Sequence, residues 1–226
     1  MVYKNIREAR FIDRPNRFIA NIEIDGRKEV CHVKNTGRCR ELLLPGVTIF
    51  VQEFEGTTRK TKYDLIGVIK DGRFINMDSQ VPNKAFHEWL KNEYLFKGIT
   101  LIKPEAKYKN SRFDFYIETE KDKIFIEIKG VTLEENNVVL FPDAPTDRGV
   151  KHINELAECM LEGYRAYVVF VIQMKGVDYF TPNVRTHREF AEALKSAQAV
   201  GVNILAYDCN VDRESIEISE EVEVKL

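Results

Sequence analysis

The stretch Ser111–Gly130, SRFDFYIETEKDKIFIEIKG, decides how the chain is read. It reads as two strands, 112–117 and 124–129, joined by a polar turn around 120–123. Side chains alternate faces along a strand, so Ile124, Ile126 and Ile128 point one way while Glu127 and Lys129 point the other. Asp114 lies between Phe113 and Phe115, where strand propensity disfavours an acid. Three charges therefore occupy strands that otherwise read as core, and buried charge is costly unless it is paired or bound to metal.

If the two strands pair, Asp114 and Glu127 share a face and can hold one cation between them. Hard oxygen ligands of this kind suit Mg²⁺ or Mn²⁺, and a bound cation can activate water and neutralise a pentavalent phosphate. Lys129, on the face of Glu127, would orient that water or stabilise developing charge, and the Ile128 carbonyl is a candidate further ligand. The same spacing also fits a salt-bridged hairpin in which Lys129 pairs with Asp114 or Glu127 across strands.

The surroundings add phosphate-binding character. In PDAPTDRGVKHINELAECMLEG, Thr146 or Asp147 caps a helix ending at Gly163, which puts Arg148, Lys151 and His152 near a helix N-terminus, a favourable place for a phosphate. Arg112 joins that cationic set. An earlier helix, capped by Asn83 and running to about Phe96, carries Glu88 as a further acid. Strands near 100–103 and 137–141, a doubly buried strand in YRAYVVFVIQ, a helix over 187–200 and a strand at 202–207 follow. The acidic tail alternates apolar residues as edge strands do. The order after residue 83 is that of a mixed sheet with helices packed on it.

Residues 1–80 read as all-β, with strands at 17–24, 29–33, 47–53, 63–69 and 73–76 separated by Asp-Gly, Pro-Gly and Glu-Gly turns. Five short strands suggest a small barrel, of which the OB type is one candidate. HVKNTGRCRE (32–41) offers Lys34, Asn35, Thr36, Arg38 and Arg40 as a phosphate cradle; the competing reading is a solvated loop. RKTKY (59–63) places Arg59, Lys60 and Lys62 beside Tyr63, the cation-and-ring pattern of single-stranded nucleic acid binding; an exposed basic hairpin explains it too. The expected division is a barrel over 1–81 and an α/β domain over 82–226.

Composition narrows the class. The 226 residues are 44% hydrophobic and 31% charged, as in ordinary globular proteins. No apolar run approaches the length of a membrane span, no signal-peptide core is seen at the N-terminus, and Cys31, Cys39, Cys159 and Cys209 form no CxxC pair. A reduced, cytoplasmic protein with no membrane partner is expected. Residues 1–80 hold 15 of the 34 Lys and Arg but only 11 of the 36 Asp and Glu, which suits a basic binding module beside an acidic site.

At this point the strings HVKNTGRCRELLLPG (32–46), RKTKYDL (59–65), SRFDFYIE (111–118), IEIKGVTL (126–133), FPDAPTDRGVKHINEL (141–156) and EFAEALKSAQAVG (189–201) closely resemble the sugar fermentation stimulation protein family, essentially end to end. The resemblance implies an N-terminal OB-like barrel followed by a PD-(D/E)xK restriction-endonuclease-like domain. It further implies largely non-specific DNA binding and a regulatory role in sugar (maltose) metabolism, which extends to transcription regulation. The nuclease motif carries over onto Asp114, Glu127 and Lys129, with Phe113 standing where a proline would precede the acid. Two functions follow as expectations: a Mg²⁺- or Mn²⁺-dependent nuclease, or a DNA-binding regulator using a nuclease-like fold. Strandedness and oligomeric state, a homodimer included, stay open.

Overall fold

A computed structural model describes residues 1–35, 37–56 and 60–226. Two of the basic-loop residues singled out from sequence, Thr36 and Arg59, lie outside the described residues. The first layer is a closed barrel of β1 (Ile6–Asn16), β2 (Ile19–Ile24), β3 (Arg27–His32), β4 (Thr48–Glu53) and β5 (Tyr63–Lys70). The strands run β3-β2-β1-β4-β5, and β3 closes on β5 through Cys31↔Tyr63 and His32↔Asp64. β6 (Arg73–Asn76) extends β5 as a hairpin outside that closed circuit. Two expectations are corrected here. The barrel starts one strand earlier, at β1, and the strand over 73–76 is not a barrel stave. Five of the eleven β1 residues are charged and one is Pro15, so only Ala9 and Phe11 are buried and the period-2 signal is faint.

The second layer is a six-stranded mixed sheet in the order β15-β14-β12-β9-β8-β7. Its strands are β7 (Ile99–Tyr108), β8 (Ser111–Thr119), β9 (Lys123–Val131), β12 (Arg165–Ile172), β14 (Asn203–Val211) and β15 (Ile216–Glu221). β12 is parallel to both neighbours and is buried from Ala166 to Ile172, which explains its unbroken apolar run. α1 (Val81–Leu90) covers one face, where Phe86 meets Phe115. α2 (Asp147–Leu161) and α3 (Arg188–Ala199) cover the other. A small sheet of β10 (Leu133–Glu135), β11 (Val138–Phe141), β13 (Tyr179–Pro182) and β16 (Glu223–Val224) stacks Phe180 on Phe170 of β12. α1 ends six residues sooner than expected, and its N-cap is Gln80 followed by Pro82 in the first turn, not Asn83. Asn83 has another use, described below. No helix among the described residues is long and apolar enough to cross a membrane, and all four cysteines are buried free thiols.

The layers are tied together by polar bonds. Gln173, 1% exposed, donates from Nε2 to the Asn76 carbonyl, Asn76 Oδ1 and the Asp78 carbonyl, each at 3.1 Å. Lys34 reaches from the barrel to Asp78 at 2.9 Å and Asp64 at 3.4 Å. Gly130 makes room for this seam: a Cβ there would stand 2.6 Å from Gln173 Oε1 and 2.7 Å from Pro82 Cγ. Residues 1–3 also leave the barrel and dock on the second layer, Tyr3 N–H donating to the Glu214 carbonyl at 2.7 Å. Gln173→Leu keeps the side-chain bulk but leaves the two buried carbonyls without their donor. It is expected to cost about 1–3 kcal/mol in urea unfolding; a change within a few tenths would show that the seam is held otherwise.

Candidate metal and nucleic-acid site

β8 and β9 are paired from Glu118↔Lys123 down to Phe115↔Ile126. Beyond that point the carboxylate of Asp114 takes over the ladder: its Oδ2 accepts the Ile128 backbone N–H at 2.7 Å, and its Oδ1 accepts from Asn83 Nδ2 at 2.7 Å. The regular alternation of β8 breaks at the same residue, since Phe113 packs in the α2-side cluster and Phe115 in the α1-side cluster. Asn83 thus brings α1 onto the acid, which is why it does not cap the helix.

Glu127 is 4% exposed. Its Oε1 receives Lys129 Nζ at 2.6 Å and lies 2.6 Å from His152 Nδ1. Arg148 Nε donates to His152 Nε2 at 3.4 Å, which assigns the ring proton to Nδ1 and makes the ring a donor to Glu127. The other oxygen, Glu127 Oε2, is buried with no hydrogen-bond partner. The two acids are consequently driven apart in proton affinity. Burial alone would raise Glu127, but His152 and Lys129 more than reverse it and hold its carboxyl below the usual range. Asp114 is pushed up to about 6, first by burial and then by the negative charge of Glu127, against the lowering effect of the Ile128 N–H and Asn83.

Arg148 and Lys151 are exposed on α2 while His152, one residue on, is buried. Together with Arg112 and Lys107 they line a cavity of about 370 Å³ that opens beside His152. Thr146 caps α2, its Oγ1 accepting the Gly149 N–H at 3.1 Å. The structure thus links Glu127 to His152 and His152 to Arg148, and places Arg112 and Lys151 on the adjoining cavity, where Arg112 lies 3.7 Å from Glu105 and Lys151 3.8 Å from Glu155.

Other candidates are placed elsewhere. Glu88 is exposed and pairs with the N-terminal ammonium at 2.6 Å, against β15, so it is not a further acid of this cluster. Helical spacing put it on α1, but the face of α1 that meets the acids is that of Asn83. Lys34 is committed to Asp64 and Asp78, which removes it from the free phosphate ligands. The Asn35 side chain is engaged locally, Oδ1 accepting the Gly37 N–H at 2.8 Å. Lys62 is paired with Glu53 at 2.6 Å and sits 5.3 Å from the Tyr63 ring centroid. Lys60, Arg38 and Arg40 are exposed. Among the described residues, no three His, Cys, Asp or Glu side chains are gathered as a metal-binding group. Sequence reasoning missed Asn83 as a partner of Asp114 and His152 as a partner of Glu127; neither contact has a local signal, because each crosses 25 or more positions in the chain.

The raised Asp114 has a definite consequence for stability. Its folded-state pKa of about 6 lies above the unfolded value near 3.8, so the native state holds the proton more tightly. In this window stability rises as pH falls from about 6 toward 4 and is lost again as pH climbs through 6. Carboxyl NMR titration should place the Asp114 midpoint near 6, and Glu127→Gln should move it toward the ordinary value by removing the neighbouring charge. A midpoint near 4 in the unaltered protein would refute this electrostatic account.

Comparison with known proteins agrees with this architecture. A family described as the sugar fermentation stimulation protein RE domain matches residues 80–215, and the N-terminal OB domain of the same family matches residues 12–77. A sugar fermentation stimulation protein homolog of Ruminiclostridium cellulolyticum is 63% identical over 226 residues, covering all of both chains. One of Clostridium beijerinckii is 64% identical with the same coverage. Among solved structures, that of Pyrococcus furiosus SfsA in complex with Ca²⁺ superposes with a TM-score of 0.91 at 33% identity, covering 100% of this chain and 98% of that one. The chain belongs to the sugar fermentation stimulation protein family.

Proposed function

We propose that this protein binds DNA largely without regard to sequence and hydrolyses its phosphodiesters at a site that uses Mg²⁺ or Mn²⁺. One observation carries the reading: a buried carboxylate oxygen, Glu127 Oε2, has no partner in the protein, and the neighbouring acid Asp114 has its ionisation disfavoured by burial and then by the charge of Glu127. Asp114 and Glu127 would hold a divalent cation that satisfied the first and relieved the second, so the residues present fit it. The relative from Pyrococcus furiosus, whose structure is described as a complex with Ca²⁺, supports a hard, oxygen-binding cation here. Such a cation would supply a water of lowered pKa and a positive charge at the phosphate.

The chain's own groups do the rest. Lys129, with only 15% of its side chain exposed, keeps its ammonium at the acids, where it can orient an attacking water and offset charge on the phosphate. His152 holds Glu127 in one orientation through Nδ1, with Arg148 steadying the ring from the other side. Arg112 and Lys151 on the rim of the adjoining cavity supply phosphate contacts that position the strand without reading its bases. Four buried free thiols suit a reducing compartment, and the cytoplasm is the proposed site of action.

A second reading is a non-catalytic DNA-binding regulator of sugar (maltose) metabolism. It is favoured by Glu127 Oε1 already engaging both Lys129 and His152 and by the absence, among the described residues, of a third acid in the cluster. The two separate in one experiment. With Mg²⁺ or Mn²⁺, the nuclease reading expects cleavage of single- or double-stranded DNA that falls by about 10²–10³ in Lys129→Ala and disappears in Asp114→Ala. With Ca²⁺ alone, both readings expect binding that weakens steeply with salt. Salt-sensitive binding by a metal-replete protein that leaves DNA and RNA intact would establish the regulator. Ca²⁺ should also raise Tm, by about 2.7 kcal/mol of stability at a hundredfold excess over Kd, and that gain should vanish in Glu127→Gln.

A further inference from the structure

A second basic cavity, of about 570 Å³, lies at the seam between the barrel and the α/β layer. Arg14, Arg17, Arg38 and Arg40 line it, with Asn16 and Pro145. Its shape is built, not incidental. Arg14 is spent on structure: its guanidinium donates to the carbonyls of Arg17 (2.7 Å), Asn35 (2.6 Å), Gly37 (2.8 Å) and Arg38 (3.0 Å), binding Asn35, Gly37 and Arg38 to the end of β1. Its Nε–H is buried and has no partner. The loop is pinned again where Asp143 Oδ2 accepts the Arg38 backbone N–H at 3.1 Å. Gly37 is needed for that close approach, since a Cβ there would lie 2.2 Å from the same oxygen. Cys39 then turns its side chain into the core at 1% exposure, with φ +45°, leaving Arg38 and Arg40 exposed on either side of it.

The guanidinium groups of Arg17, Arg38 and Arg40 have no ion-pair partner among the described residues, although nearby cations such as Arg7 and Lys62 are each paired with an acid. Three uncompensated guanidinium groups around one concavity match a dianion better than a monoanion. A phosphodiester within a strand carries one charge, whereas a phosphomonoester carries about −1.5 to −2 at neutral pH. Arginine's planar fork also suits the several oxygens of a terminal phosphate. The volume falls within the range of ligand pockets, roughly 300–1,000 Å³, so the nucleotide bearing the phosphate fits as well. The pocket touches the segment leading into α2, and from the Thr146 cap to His152 the helix rises only about 9 Å. A group seated there is within a few nucleotides of the acids.

We infer that this arginine-lined seam pocket binds a phosphomonoester and, on the nucleic-acid reading above, receives the phosphorylated end of the strand presented to Asp114 and Glu127. The assignment rests on that reading for the source of the phosphate but not for the pocket itself. Two measurements separate them. In Ca²⁺ buffer, fluorescence anisotropy compares one single-stranded oligonucleotide in three forms: 5′-phosphorylated, 3′-phosphorylated and with both ends hydroxyl. One phosphorylated form should bind about tenfold tighter than the hydroxyl form, equivalent to about 1.4 kcal/mol. The preference should vanish in Arg38→Ala/Arg40→Ala, a pair of exposed positions whose backbone anchors are untouched. Equal affinity for all three forms, or a preference that survives the double substitution, overturns the strand-end assignment.

Calorimetric titration with inorganic phosphate tests the pocket directly. Binding that is lost in Arg38→Ala/Arg40→Ala, and weakened in Arg17→Ala, supports it; no binding by the unaltered protein overturns it. If no oligonucleotide binds in any form while inorganic phosphate still does, the nucleic-acid reading and the strand-end assignment fall and the phosphate pocket stands.

Discussion

The second layer depends on keeping one carboxylate ionised inside a sheet. Glu127 sits on β9, which has β8 on one side and β12 on the other, and it is nearly inaccessible to water. An uncompensated carboxylate in such a place would take up a proton. Lys129 and His152 prevent that from two directions, one from the same strand and one from α2. The latter contact fixes how α2 lies on the sheet at its N-terminal end, so helix packing and site electrostatics are a single constraint. Holding Glu127 charged has a cost, and it appears at Asp114, whose ionisation is already opposed by burial and becomes harder still beside that charge. The acid at the strand fork and the acid in the strand are therefore a coupled pair with opposite shifts, the condition under which two carboxylates take different roles.

The barrel is attached to this layer by the same kind of economy. Lys34 and Gln173 are both polar and both nearly withdrawn from solvent, and each satisfies acceptors at the β6–α1 junction. A charged residue that bridges two layers is poorly available to an outside ligand. That is the physical reason the basic loop splits into two functional halves. Lys34 and Asn35 hold the architecture, and Arg38 and Arg40, a few residues later, are left in solvent by the inward anchor of Cys39.

Much of the fold was legible because its signals are local. The doubly buried β12, the Thr146 cap of α2 and the Ser111–Gly130 hairpin announce themselves in runs of a few residues. The same is true of the Asp114, Glu127 and Lys129 cluster, since one hairpin brings all three together. β1 was hidden because its outward side chains are charged and only two of its residues are buried. The partners were hidden for a different reason. Asn83 reads as a helix cap and His152 as one of a phosphate-binding set until the chain folds, and only then does each meet an acid from another element. Glu88 failed for the converse reason: its helix was found, but helical phase within one turn decides which side chain faces the sheet, and capping residues do not fix that phase. Arg14 and Arg17 gave no motif at all, because their meaning comes from a loop that lies twenty residues away and folds back on them.

The hairpin's charges can be tested against a purely structural role by asking what such a role leaves unexplained. A Lys129–Glu127 pair at 2.6 Å is a sound ion pair, yet a buried pair is weak evidence of stabilisation, because apolar residues of similar volume commonly do as well or better. A structural pair would also be expected to satisfy both carboxylate oxygens, and here Oε2 is left buried without a donor. Nor does the pair account for Asp114. Its two hydrogen bonds could be made by a neutral acceptor, whereas the carboxylate adds repulsion with Glu127 and a desolvation cost. A salt bridge explains Lys129 and half of Glu127. The unfilled oxygen and the disfavoured second acid are what remain, and the divalent cation proposed above would answer both.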